Sequence, residues 1–198
     1  MAPNRIMRGR AVRRALLLAG VALLLISVAA GCRSGGGATS TSERERDEKL
    51  LNDVLGRQLA VVKTYPKVLP ALSGADHAMA QQFLAQEQEH LDATTKTLRG
   101  MGVKAEPNEE TIDLGDLRTR ADSLEFLYEM ESATTDFELS VVGKLNAGSA
   151  RPLIGSMAAN QAQRLVLLRQ ALGAKRVDAI PSAFETGEIP APERTPEK

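Results

Sequence analysis

The sequence predicts an all-α fold, a four-helix bundle built of two antiparallel hairpins joined by a long crossover. Apolar residues recur at spacings of three and four along four segments, the mark of one-sided helices. The first and third connections are a few residues long and the middle one about 15. Short links make antiparallel neighbours, and the middle segment can travel a bundle's length: a helix of ~26 residues is ~39 Å long, and ~15 extended residues span ~50 Å. An up-down-up-down bundle with a slack middle loop is the alternative. The lack of tryptophan and the scarcity of β-branched runs argue against a sandwich or barrel.

Residues 1–31 read as a signal peptide. Arg5, Arg8, Arg10, Arg13 and Arg14 make a basic start, and Ala15–Ala30 is a run of 16 small and apolar residues. That is short for a spanning helix of ~20 and suits a secretion signal. The run ends in Ala29-Ala30-Gly31-Cys32, which resembles a bacterial lipobox, with Ala29 where leucine is commoner. The resemblance implies that Cys32 is acylated, by palmitate for example, and anchors the mature chain at the outer face of the cytoplasmic membrane. Arg13-Arg14-Ala15-Leu16-Leu17 also resembles a twin-arginine export signal, with Val12 where a polar residue is usual. The general secretory route is the alternative. Residues 32–42 read as a flexible tether, because Arg33–Ser42 is RSGGGATSTS. Its r.m.s. reach is ~15–20 Å.

Residues 43–175 hold the bundle. Ser42 to Glu45 has the pattern of a capping box. Leu51, Val54, Leu55, Gln58, Val61, Val62 and Tyr65 share the first helix's face, and Pro66 and Pro70 should kink or end it. Ser73 and Asp76 are candidate caps for a second helix with the face Ala80, Phe83, Leu84, Glu87, Leu91, Leu98 and Met101, stopped by Gly100 and Gly102. Residues 103–117 form the crossover. A third helix over about 118–145 presents Leu124, Leu127, Met130, Glu131, Thr134, Phe137, Val141 and Leu145. After the turn at 146–149, the fourth has Pro152 in its first turn, where proline is tolerated. It presents Ile154, Met157, Ala158, Gln161, Leu165, Leu168 and Leu172, and Gly173 suits the position after its end. Residues 176–198, with four prolines, read as a non-helical tail.

The formal charge is zero, but without the first 31 residues it is −5. An acidic body with six aromatics is a poor nucleic-acid binder. One cysteine and two histidines exclude a disulfide framework and a Cys/His zinc site.

A shift of 74 residues overlays Gly74 on Gly148, Val68 on Val142, Leu98 on Leu172, Glu87 on Gln161, His90 on Arg164 and Arg57 on Glu131. One duplicated helical hairpin explains all of these. Glu87-Gln88-Glu89-His90 is a Glu-x-x-His motif, and residues three apart on a helix share a face, so a carboxylate and an imidazole can converge on one point.

With this motif, the LAQEQEHL stretch, ANQAQRLVLLRQALG and the closing Pro-Ser-Ala-Phe-Glu-Thr-Gly, the body over about residues 45–187 resembles the ferritin-like superfamily, specifically its small secreted bacterial members with a lipobox. In metal-binding relatives the fourth helix carries a second Glu-x-x-His, and the first and third helices each add a glutamate. Carried over by position, the resemblance implies retained ligands at Glu87, His90 and Glu131, and degenerate ones at Arg57, Gln161 and Arg164. Gln58 replaces Arg57 if the register slips by one. Two ferrous ions would bring about four positive charges to such carboxylates. Arg57 and Arg164 can supply part of that charge, since guanidinium groups fork onto carboxylates. The expectation is a salt-bridged network of Glu87, Glu131, Arg57 and Arg164 at the old metal position, with no cofactor. The alternative has both arginines snorkelling outward.

The other candidates read more plainly. Tyr65 and Tyr128 read as core, His77 as surface, Glu129 and Glu138 as helix glutamates, and Arg44–Lys49 as a solvated helix start. No phosphate-binding loop, nucleophile elbow or Ser/His/Asp set is visible. The leading expectation is a membrane-anchored, non-catalytic structural or interaction module, partnered by an envelope protein or by itself. The alternatives are binding of iron or another divalent metal at a partial site, and a small-molecule binder using the space beside Ala158, Ala159 and Ala162.

Overall fold

The computed structural model describes residues 40–176 and 178–180. The expected signal segment, Cys32 and most of the expected tether, and the closing 181–198 stretch lie outside the described residues. Within them are four long helices: α1 (Thr41–Val68), α2 (Gly74–Gly100), α3 (Arg120–Val142) and α4 (Ala150–Ala171). A 3-10 turn, Leu69–Ala71, follows α1. No helix among the described residues is long and apolar enough to cross a membrane.

α1 begins two residues earlier than the Ser42 pattern suggests. Ser40 is the N-cap: its side chain accepts from Glu43 N while Glu43 returns a bond to Ser40 N at 2.8 Å. Ser40 and Glu43 hold the same capping spacing, and the expected tether loses its last residues to the helix. Pro66 does not end α1; it sits in the last turn, and the chain breaks only at the Pro70 turn. Ser73 caps α2 by position without a side-chain bond, and Asp76 instead pairs with Arg120 at 2.5 Å. α3 is shorter at both ends than expected and starts with a capping box of Thr119 and Asp122. At the ends of α2 and α4, Gly102 (φ 72°) and Gly173 (φ 100°) take the left-handed conformation. The amides of Val103 and Ala174 then close back on Leu98 O and Arg169 O, at 3.0 and 2.9 Å.

The side-chain pairs across the bundle fix its topology. Tyr65 meets Glu131, Gln58 meets Glu138 and Asp47 meets Asn146, so α1 and α3 run antiparallel. Glu87 meets Arg164 and Thr94 meets Met157, so α2 and α4 do too. An up-down-up-down bundle would make each of these pairs parallel. The crossover therefore runs the bundle's full length. It is pinned to α1 by Asn108 N on Asn52 O, Glu106 N on Asn52 Oδ1 (2.8 Å), Arg57 on Glu110 and Lys63 on Glu109 (both 3.2 Å). Gly56 makes the close approach possible: a Cβ there would collide with the Asn108 carbonyl, its carbon only 2.7 Å away.

α1 and α3 end on the overlay's paired residues Val68 and Val142. The apolar core falls into two clusters. One is built around Val61, Val68, Phe83, Leu124, Leu127 and Leu168. The other is built around Leu51, Val54, Leu98, Val141, Leu145 and Ile154. Between them lies a belt of buried polar side chains.

Candidate functional site

The belt takes one or more residues from every helix: Gln58 and Tyr65 from α1, Glu87, His90 and Thr94 from α2, Glu131, Thr135 and Glu138 from α3, and Gln161 and Arg164 from α4. Helical spacing of three, four and seven turns these positions to one axis. Burying so many polar groups costs free energy unless each finds a partner, so the partners define the site.

Arg164, 2% exposed, is its centre. Nη1 donates to Glu87 Oε1 and lies 3.2 Å from both carboxylate oxygens of Glu131. Nε donates to Gln86 Oε1 (3.0 Å) and Asn160 Oδ1 (3.1 Å), and Nη2 to Asn160 Oδ1 (2.8 Å). The guanidinium also lies over the Phe83 ring, 5.5 Å from its centroid. Tyr65 Oη donates to Glu131, and Gln161 Nε2 to Glu87 Oε1 at 3.3 Å. His90 Nδ1 lies 3.4 Å from Glu87 Oε1.

The expected network is therefore present with one change. Glu87, Glu131 and Arg164 come together; Arg57 does not join them. Its side chain turns to the flank, donating to Thr134 Oγ1 at 3.1 Å and pairing with Glu110 of the crossover. The inward α1 residue one position on is Gln58, fully buried, which donates to Glu138 Oε1 (3.5 Å) and Met157 Sδ (3.3 Å). The crossover's carboxylate, which the helix pattern does not place, draws Arg57 outward.

Charge is distributed unevenly in the belt. Burial pushes Glu87 up, but His90 and Arg164 beside it more than compensate and hold it below the usual carboxylate range. Burial raises Glu131 to about 7, against the pull of Arg164 and with a further push from Glu87. Glu138 reaches about 8, again chiefly through burial, with Glu87 adding to it. Tyr65 is raised well above its usual value by burial and by Glu131. For Arg164, burial acts to lower the pKa but Glu131 and Glu87 outweigh it.

Sequence reasoning set Glu138 aside as an ordinary helix glutamate and Tyr65 as packing, and missed Thr94 and Thr135. Glu138 is seven residues after Glu131, two turns along one stripe, and that spacing is the signal that could have found it. Asp47 was likewise read as solvated. It is fully buried and accepts Asn146 N at 3.0 Å and Ala147 N, tying the start of α1 to the α3–α4 turn.

A ferritin-like domain model matches residues 47–174. The chain belongs to the ferritin-like domain family. A crystal structure of a conserved hypothetical protein from Mycobacterium tuberculosis superposes with a TM-score of 0.61 at 21% identity, over 72% of this chain and 99% of that one. A ferritin-like, diiron-carboxylate protein from Bacillus anthracis superposes at 0.59 with 14% identity, over 68% and 100%. No curated protein matches.

Di-iron chemistry in a ferritin-like domain draws on carboxylates from all four helices and two imidazoles. The belt does not fit that donor set. α1 offers the Gln58 amide, α4 offers the Gln161 amide and the Arg164 cation, and the guanidinium stands between the two carboxylates a metal would need. Among the described residues, no three His, Cys, Asp or Glu side chains are grouped to hold a metal ion.

Proposed function

We propose that this chain is a lipid-anchored ferritin-like module in which an internal ion network replaces the di-iron centre. In this reading it acts as a non-catalytic structural or interaction protein at the outer face of the cytoplasmic membrane. The observation that carries the reading is Arg164, which places one fixed cation between Glu87 and Glu131 and repels a second. The basic start, the apolar run and the lone Cys32 support the anchor. An envelope protein or a second copy of the chain is the partner that such a module serves.

A metal titration tests the reading. Ferrous iron under anaerobic conditions, then zinc and manganese, should neither bind nor raise Tm, since a ligand of the native state must stabilise it. The paired variant Gln161→Glu with Arg164→His, which rebuilds the second Glu-x-x-His, should gain metal-dependent stability. Two irons per parent chain with oxygen consumption would overturn the reading. A second reading, one divalent metal on Glu87, His90 and Glu131, draws on His90 standing beside Glu87. It requires one metal per chain, lost on Glu87→Ala. The anchor is tested separately by the mass of the exported chain and its loss of acylation in Cys32→Ser.

A further inference from the structure

Three chain segments meet at the end of the bundle where the described chain begins: the start of α1, the end of α2 and the α3–α4 turn. Asp47 bonds the first to the third, and the Arg44 guanidinium reaches to 3.9 Å from where a Cβ on Gly102 would stand, joining the first to the second. Arg44, Arg46, Arg99, Lys104, Lys144 and Arg151 are all exposed at this end.

Three of the acids there are already engaged. Glu43 caps the Ser40 amide, Asp47 is buried on the turn amides, and Glu106 pairs with Lys104 at 2.8 Å. Glu45 and Glu48 line a groove on the flank of α1 with Asn52, Asp53 and Asn108. Arg151 lies on the Leu145 carbonyl, a neutral acceptor. Among the described residues, Lys104 is the only one of the six in a salt bridge. The opposite end carries cations too, but there they stand among Asp113, Asp116, Asp122 and Glu125, and Arg118 and Arg120 are paired with Asp116 and Asp76.

We propose that this basic end is a docking face for an anionic phospholipid surface, holding the bundle upright on the membrane with α1 starting at the headgroups. The inference rests on the anchor reading for its setting: Cys32 lies eight residues before Ser40, and a flexible segment of that length has an r.m.s. reach of ~15 Å. An anchor at Cys32 would bring this end of the bundle nearest to the lipid. Basic residues near such a surface each add attraction that falls off within a Debye length, ~8 Å at physiological salt.

The test uses the whole chain downstream of the signal segment, carrying Cys32→Ser so that no lipid contributes. Flotation with vesicles of phosphatidylcholine containing phosphatidylglycerol is compared with phosphatidylcholine alone. Binding should appear only with the anionic lipid and weaken with salt. Triple reversal at Arg99, Lys104 and Lys144 to Glu should lower partitioning at least tenfold with unchanged Tm and helicity. Triple reversal of Arg118, Lys175 and Arg176, away from this end, should change it less than twofold. Equal binding to both vesicle types, or equal loss from both sets of reversals, overturns the proposal. Acylation of the exported chain is read by mass alone. An unacylated chain that still prefers anionic vesicles refutes the anchor and keeps the face, and an acylated chain without that preference does the reverse.

Discussion

Arg164 Nη1 stands 3.2 Å from each carboxylate oxygen of Glu131, so one guanidinium nitrogen straddles the carboxylate across the α3–α4 hairpin. The same nitrogen bonds Glu87 on α2. One cation thus serves two buried acids, and its removal leaves Glu131 with the Tyr65 hydroxyl and Glu87 with His90 and Gln161. Arg164→Met should destabilise the fold by about 3–5 kcal/mol, the usual cost of orphaning a buried charge. Adding Glu87→Gln and Glu131→Gln to that variant should recover most of the loss, because a neutral core needs no counter-charge. Urea unfolding of the three proteins checks this, and a triple variant no more stable than Arg164→Met would contradict it.

Glu138 makes the bundle sensitive to alkali. Burial raises it from the usual 4.5 to about 8. Between those values the folded chain holds a proton that the unfolded chain has released, so stability falls as pH rises through that window. Glu131, raised to about 7, adds to the same slope up to its own value. Glu138→Gln should therefore raise Tm at pH 8 and above, leave it nearly unchanged near pH 4.5, and flatten the profile between. The gain at high pH should be on the order of a few kcal/mol. A variant whose Tm profile runs parallel to the parent's would show that Glu138 is not held protonated.

Gly56 lets the crossover lie on α1. Gly56→Ala should force the Asn108 carbonyl away and cost about 1–3 kcal/mol, the range for overpacking, despite alanine's better helix propensity. Gly155, also helical but with open space around it, is the control, and Gly155→Ala should be neutral or stabilising by up to ~1 kcal/mol. Equal effects at both sites would mean that the crossover does not press on α1.

Among the described residues, Asp47 is the only side chain bonding both turn amides, at Asn146 and Ala147. Asp47→Ala should cost about 1–3 kcal/mol, since two partly buried turn amides lose their acceptor. Asp47→Asn, which keeps one acceptor oxygen, should cost less. Amide exchange at Asn146 and Ala147 should rise in the alanine variant before the rest of the bundle opens.

The helices and their order were legible because their signals are local. Three-and-four spacing marks Leu51 through Tyr65, and connection lengths select the crossover. The meeting of Glu87, Glu131 and Arg164 was legible from the Glu-x-x-His motif together with the position-by-position resemblance to metal-binding ferritin-like chains. What was hidden depends on which helix faces which. Arg57 and Gln58 are neighbours 100° apart on one helix, and only the crossover's Glu110 decides which turns inward. Asp47 sits in a run of charges and looks solvated until the α3–α4 turn arrives. Gly56 has no pattern of its own; its need is set by a backbone some 50 residues away.

The 74-residue repeat gives the belt a further consequence. Its two halves no longer match: the α1–α2 hairpin brings Glu87 with His90, and the α3–α4 hairpin brings Gln161 with Arg164. A hairpin of the first kind meeting its own copy would face carboxylate with carboxylate and have no arginine between them. The α1–α2 half depends on the arginine of the other half, so the asymmetry works against the pairing of two α1–α2 hairpins from different chains, a hazard that a symmetric duplicate would carry.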